Sequence, residues 1–241
     1  MKVGIIQSNY IPWRGYFDFI DSVDLFVFHD DLQYTKGDWR NRNKIKTANG
    51  LKWLTVPVHY CQTTQLICET AIDYSTKWQI NHKNQIKASY RETPFLSDVL
   101  FLLEEAYSYN DKTISQLNIR LIRMICAYLK IETPFVMSAE YGLTGAKTER
   151  LIQLLNQLGA STYVSGPSAN NYLDENLFRE SGIDLEYKKY EYQPYPQNGG
   201  DFEGRVSVID LLANCGPGST NYLKSLTPNN VVGEAHYGSP K

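Results

Sequence analysis

The chain has 241 residues, a formal net charge of −2 and 21% charged side chains, so it is neither a polyelectrolyte nor disordered by composition. Bulk attraction to nucleic acid is excluded as a driving force, and no DNA partner is expected. The four cysteines, Cys61, Cys68, Cys126 and Cys215, make no C-x-x-C pair and have no histidine at zinc-ligand spacing. No bound metal and no redox pair is therefore expected, and the thiols are expected to be reduced and buried.

The length suffices for one large folded unit with a real core. Eighteen tyrosines and four tryptophans supply large rings with a polar edge, which suit a pocket and equally a core. The run from Met1 to Ile6 lacks the length of a signal sequence, and no stretch approaches the apolar length of a membrane span, so a cytoplasmic protein is expected.

In chain order, Lys2 to Gln7 reads as a buried strand. Ser8 to Arg14 reads as a polar loop, and a helix follows whose apolar face is Tyr16, Phe17, Phe19, Ile20 and Val23. Asp24 to His29 is a second apolar run, so strand, helix and strand fit a βαβ unit, and continuous apolar strands suit a parallel sheet covered on both faces. Leu32 to Lys46 is polar and basic. Trp53 to Val58 resumes a strand after the Asn49-Gly50 turn. Helical patterns occupy Lys77 to Arg91, Phe95 to Tyr107 and Thr113 to Leu129, with Pro94 as a break. Phe135 to Met137, Thr162 to Gly166 and Asp184 to Tyr190 read as strands; Thr148 to Leu158, Asp174 to Glu180 and Ser207 to Asn214 read as helices. The expectation is a single α/β domain over residues 1–215 with a mostly parallel sheet, helices on both faces and a helical insertion at about 75–130, followed by a loosely held tail, 216–241.

Ligands of open α/β sheets sit beyond the carboxyl ends of the strands, so the residues after each strand are the candidates. After the first come Gln7, Ser8, Asn9 and Tyr10, then Trp13 and Gly15. Gly15 either lets helix N–H groups approach a ligand or begins a helix against a packed tryptophan. After the second come Asp30, Asp31 and Gln33; adjacent acids point to opposite sides of a strand, so one faces a pocket, where it orients an amine, takes its proton or binds Mg²⁺, unless it caps a turn. The run Lys36 to Lys46 holds five basic residues and one acid. If extended, it places Arg40, Arg42, Lys44 and Lys46 on one face beside Trp39, with Asn41 and Asn43 on the other. Such a row suits a phosphate with a stacked ring, or is a solvated edge strand guarded by lysines. His82 shares a helix face with Trp78 and Gln85, at a pocket rim or on the surface. His59 and Cys61 alternate without an orienting acid, and no G-x-S-x-G, Walker A or G-x-G-x-x-G pattern occurs.

The run Gln7 to Asp18, then Asp30-Asp31-Leu32-Gln33-Tyr34, then Trp39 to Lys46 resembles the WbqC-like protein family. Later blocks follow in order: Trp78 with His82, Tyr90 and Pro94; Thr162 to Gly166; Tyr195-Pro196-Gln197; and Ser207 to Leu212 with Gly216. His29 departs from the family pattern, which argues against it as a base. The resemblance implies a setting in bacterial O-antigen and surface-polysaccharide synthesis and a glycine transferase role, acylating an amino sugar. The start is also similar to nucleotidyltransferase-like (Rossmann-like) folds with an H-x-G-H motif, but Trp13 and Tyr16 stand at the histidine positions, which implies the architecture and not the adenylyl chemistry.

The reading is a transferase placing a glycyl or other acyl group on the amine of a nucleotide-linked amino sugar; the alternative is a non-catalytic nucleotide-sugar-binding partner in an assembly complex. Asp30 or Asp31, assisted by His82, would deprotonate the amine. Arg40, Arg42 and Lys44 would hold the diphosphate, and Gln7, Asn9 and the amides near Gly15 would meet the oxyanion. Tyr10, Trp13, Gln33, Trp39, Asn41, Tyr90, Ser165, Gly166 and Tyr195 complete the expected substrate contacts. Gln7, Asn9, Trp13, Asp30, Arg42 and Ser165 are expected to converge on one cleft. The acyl donor stays open between an acyl-CoA, a carrier-bound acyl group, an aminoacyl-tRNA and an amino acid with ATP.

Overall fold

The computed structural model describes residues 1–232. Alternate residues of the first strands feed two apolar cores, which explains their unbroken hydrophobicity. From β1 (Lys2–Ile6) and β2 (Leu25–Phe28), Val3, Ile5 and Val27 enter one core, while Phe26 and Phe28 enter the other. Helix α1 (Arg14–Asp21) crosses between them and packs so closely that a Cβ on Gly4 would lie 2.3 Å from the Phe19 ring. Only glycine allows that contact.

The remaining elements are β3 (Arg42–Thr47), β4 (Gly50–Thr55), α2 (Trp78–Ser89), α3 (Leu96–Ser108), α4 (Ile114–Tyr128), β5 (Phe135–Met137), α5 (Lys147–Gln157), β6 (Thr162–Ser165), α6 (Glu175–Ser181), β7 (Asp184–Tyr187), α7 (Val208–Cys215) and β8 (Asn230–Val231). The main sheet has the order β5-β2-β1-β6-β7-β8, parallel except for β8, which runs antiparallel to β7. The α/β class with a mostly parallel sheet is as expected. From β1 the chain first builds toward β2 and β5, then returns to the other side with β6, so the order reverses at β1/β6, where such sheets open a crevice at their carboxyl ends.

Between β2 and β5 the chain inserts the antiparallel hairpin β3–β4 and then α2, α3 and α4, whose apolar faces join the larger core. The basic run is thus a regular strand paired Arg42 with Thr55 and Lys44 with Trp53, and β4 begins at Gly50, earlier than its own apolar pattern suggests, because it matches its partner's length. The start of the expected loose tail is packed: Gly216 and Ser219 are buried in a 3₁₀ turn, Leu223 is buried, and β8 extends the sheet. The expected tail beyond residue 232 lies outside the described residues. Of the cysteines, Cys126 is buried and Cys61 is exposed, with Cys68 and Cys215 between, so burial holds for Cys126 alone. Among the described residues no helix is long and apolar enough to cross a membrane.

Candidate functional site

The loop after β1 is pinned at three points. Asp30, just past β2, accepts hydrogen bonds from the Ser8 amide at 2.7 Å and the Ser8 hydroxyl at 2.6 Å. The Tyr10 amide donates to the Trp39 carbonyl at 3.0 Å. From β3, the Asn43 side-chain amide donates to the carbonyls of Tyr10 and Ile11 at 3.2 and 2.9 Å. These bonds hold Ile11 at φ 35°, a left-handed conformation that is unfavourable for a β-branched residue and more so ahead of Pro12. Strain of this kind, about 1–3 kcal/mol, persists only where the surroundings over-determine it.

So placed, the loop forms one wall of a cavity of about 780 Å³ at the carboxyl end of the sheet, within the size range of ligand sites. Asn9, Trp13, Arg14 and Asn43 line it from this side together with Trp39. The opposite wall is Tyr190 and Tyr192, just beyond β7, and Phe202 to Arg205. Trp13 meets Tyr190 and Tyr192 edge-on, with ring centroids 5.1 and 5.8 Å apart. Arg40 donates to the Asn9 side-chain oxygen and to Asp38, so it sets Asn9 in place.

At the rim, Trp39 lies 5.4 Å from Trp53, and Arg42 and Lys44 cover the Trp53 ring at 4.2 and 4.8 Å. The expected face of alternating basic residues is present for Arg42, Lys44 and Lys46, with Asn41 and Asn43 turned inward. Lys46 is bound to Gln197 and to the Asp201 carbonyl, and Asn41 donates to the Val56 carbonyl as a strut of the hairpin.

Of the residues expected to converge, Asn9 and Trp13 line the cleft together with Trp39, while Arg42 lies outside the lining, on the Trp53 ring that meets Trp39. The other candidates lie elsewhere. Asp30 is 1% exposed, and besides Ser8 it accepts from the Ser115 hydroxyl at 2.5 Å, so its oxygens are engaged within the fold. Asp31 turns the other way and is held by Arg150 and the Ser138 hydroxyl, with His29 Nε2 at 3.7 Å. Burial lowers the His29 imidazole below its ordinary range.

His82 does not assist either acid. It is buried beneath the hairpin, where its Nδ1 is hydrogen-bonded at 2.8 Å to the hydroxyl of Tyr10, which also meets that of Tyr107. Burial pushes its pKa down to about 4, so it is a neutral, buried histidine; with Trp78 and Gln85, as expected, it borders a cavity, but a separate one of about 300 Å³, and Tyr10 is a core tyrosine. Tyr90 and Tyr195 donate at 3.0 and 2.6 Å to Asp210, a fully buried carboxyl whose pKa burial raises. Neither lines the aromatic cleft, although Tyr90 lines a separate cavity of about 770 Å³ beside Lys46 and Asp201. Gly15 is the packed alternative: a Cβ there would lie 2.3 Å from Trp13 Cζ2, so the indole rests on the helix, and the Tyr16 amide is already bonded to the Trp13 carbonyl at 3.1 Å. Gln7 offers its backbone carbonyl to the Tyr16 hydroxyl at 3.0 Å, and Gln33 is exposed, bridging to Leu66. Ser165 is buried and donates to Tyr163 at 3.2 Å, and Gly166 begins a 3₁₀ turn; neither lines the cleft.

Arg14, Tyr190, Tyr192 and the Phe202–Arg205 wall are not among the expected site residues. A signal existed: Tyr190 and Tyr192 continue the period of two past a parallel strand, and Gly199-Gly200, both at positive φ, turn the chain back toward it.

The fold and cavity define an α/β protein with an aromatic, arginine-bearing crevice at the carboxyl ends of a parallel sheet. The model of the WbqC-like protein family matches residues 7–222, and the chain belongs to that family. It is similar to the uncharacterized protein Rv1507c of Mycobacterium tuberculosis, 46% identical over 226 residues that span 92% of this chain and 97% of that protein. No solved structure matches the chain.

Proposed function

We propose that the protein is a transferase that places a glycyl or other acyl group on the amine of a nucleotide-linked amino sugar, in the synthesis of a bacterial surface polysaccharide such as O-antigen. The observation that carries this reading is the combination of ring faces and guanidinium groups in one cavity of about 780 Å³. Trp13, Trp39, Tyr190 and Tyr192 suit a planar base and a sugar face, and arginines suit phosphate oxygens. Arg42 and Lys44 draw the anionic ligand to the rim. The amine must lose its proton for attack while the donor's acyl–sulfur or acyl–oxygen bond breaks and its thiol, tRNA hydroxyl or phosphate leaves; among the described residues the carboxylate lining the cleft is that of Glu203, one oxygen of which accepts from the Arg205 amide at 2.7 Å. The role of base assigned by pattern to Asp30 or Asp31 passes to Glu203 in this reading.

The non-catalytic reading draws support from a separate observation: both acids at the end of β2 are engaged by Ser8, Ser115, Ser138 and Arg150. The experiment incubates the protein with nucleotide-linked amino sugars and, in turn, acyl-CoA, aminoacyl-tRNA and an amino acid with ATP, and reads the mass of the sugar. Transfer predicts an acyl mass gain that Glu203→Gln abolishes. Saturable binding of the nucleotide sugar with no mass gain under every donor selects the binding partner instead.

A further inference from the structure

Charged side chains withdrawn from solvent are mostly matched in this fold. Asp18 is paired with Lys188 at 2.9 Å, Asp111 with Arg120 at 2.7 Å, and Asp31 with Arg150. Arg14 is not. It is 4% exposed, and among the described residues no carboxylate forms a salt bridge with it. Its Nη1 donates to the carbonyls of Gln193 and Tyr222 at 2.9 and 3.2 Å. The rings of Tyr192, Tyr195 and Phe202 surround its central carbon at 4.6, 5.2 and 5.7 Å. Carbonyls and ring faces soften the charge without neutralising it, and a guanidinium keeps its proton at neutral pH. An unmatched buried cation is costly to a fold.

The unused edge of this guanidinium shows what it awaits. Nη1 is occupied, while Nε is buried and has no hydrogen-bond partner among the described residues. Nε and Nη2 form the side of the group that grips two oxygens at once. Arg120 uses that same edge on Asp111, at 2.8 and 2.7 Å. In Arg14 the edge adjoins Gly204, where a Cβ would stand 3.6 Å from Nη2 and 3.1 Å from the Phe202 ring, so between the edge and the cleft stand a residue without a side chain and one exposed ring.

We propose that Arg14 is the anion anchor of the cleft and that the anion is a phosphate group, which on the reading above is that of the nucleotide-linked substrate. An incoming phosphate oxygen meets Nη2 beside Gly204, and a small movement of the exposed Phe202 ring brings a second oxygen to Nε. Phosphate is favoured over a carboxylate because it gathers more charge and more oxygens on one group, and Arg205 lines the same cleft with a second positive charge against Glu203, the one acid lining it among the described residues. Arg42 and Lys44, outside on Trp53, then steer the ligand and do not clamp it.

The test titrates the full chain with inorganic pyrophosphate, read by the fluorescence of the cleft tryptophans, with malonate as the carboxylate control. Arg14→Gln keeps the polar edge without the charge, and Gly204→Leu keeps the charge while filling the approach to Nη2. Saturable binding by the wild type is expected, with the Kd raised roughly ten- to a hundredfold in both variants, the span of one charged hydrogen bond. Malonate is expected to bind at least about tenfold more weakly. Should Arg14→Gln fail to fold, Gly204→Leu decides alone. Unchanged pyrophosphate affinity in a folded variant, malonate binding as tightly as pyrophosphate, or no pyrophosphate binding by the wild type each overturns the proposal. Arg14-dependent pyrophosphate binding without acylation of any sugar leaves the anchor standing and removes the transferase reading; acylation that ignores Arg14→Gln does the reverse.

Discussion

Replacing Asp30 with alanine distinguishes a carboxylate that organises the site from one that reacts in it. Its oxygens accept from the Ser8 amide at 2.7 Å, the Ser8 hydroxyl at 2.6 Å and the Ser115 hydroxyl at 2.5 Å, with only 1% of the residue exposed. A hydrogen bond to a charged group contributes about 1.5–3 kcal/mol, and three on one group overlap, so the expected loss is about 3–5 kcal/mol. At about 2–4 °C per kcal/mol for a chain of this size, the melting temperature falls by about 6–20 °C. Asp30→Asn keeps one acceptor and is expected to lose roughly half as much. Because Ser8 precedes Asn9, nucleotide binding should weaken together with stability. Calorimetry and a nucleotide-sugar titration on the same samples make the comparison. A variant that melts within about 2 °C of the wild type, about 1 kcal/mol or less, and binds normally yet transfers nothing would restore Asp30 as the base.

Gly15→Ala is expected to push the Trp13 indole off the helix, since the new methyl would lie 2.3 Å from Cζ2; the cost is about 1–3 kcal/mol, visible as a changed tryptophan emission and weaker ligand binding. Lys188→Met leaves Asp18 buried without its partner at 2.9 Å and should cost about 3–5 kcal/mol in denaturant unfolding, while Tyr192, which donates to Asp18 at 2.7 Å, loses its setting in the cleft wall. The His82 pKa is held down from 6.5 to about 4, so the unfolded chain takes up this proton before the folded one does. Its contribution is complete above pH 6.5 and drains by roughly 3 kcal/mol as the pH falls toward 4. The imidazole NMR signal should stay flat between about pH 8 and 5, and His82→Gln should reduce the slope of stability with pH over the lower range. Arg42→Ala should weaken binding of a nucleotide diphosphate about three- to tenfold at low salt and less at high salt, as expected of a steering charge at a rim; a loss independent of salt would place Arg42 inside the site.

Much of the architecture is written in local pattern. Lys2 to Ile6 and Leu25 to Phe28 are unbroken apolar runs because both faces of a central parallel strand are covered, and the helix between them carries its stripe at three- and four-residue spacing. The loop Ser8 to Trp13 and the basic run are legible as unusual for the same reason: polar, charged and aromatic residues interrupt a regular period. What period does not carry is the direction in which an unusual residue turns. Asp30, Tyr10, His82 and Tyr195 look alike as ligand candidates and as members of buried hydrogen-bond networks, and the tertiary structure makes them the latter.

Legible in the amino-acid pattern were the α/β class, the family, the strand ends that carry the site and three residues of the cleft, Asn9, Trp13 and Trp39. Tertiary structure alone decided that Arg14 and Tyr192 complete that cleft, because their partners come from distant parts of the chain. Arg14 is tied to the Gln193 and Tyr222 carbonyls, 179 and 208 positions away, and Tyr192 to Asp18 across 174. Periodicity reports which side of its own element a residue faces, a local property of backbone geometry. Which other element waits there follows from the strand order β5-β2-β1-β6-β7-β8, and that order is settled by packing across the whole sheet.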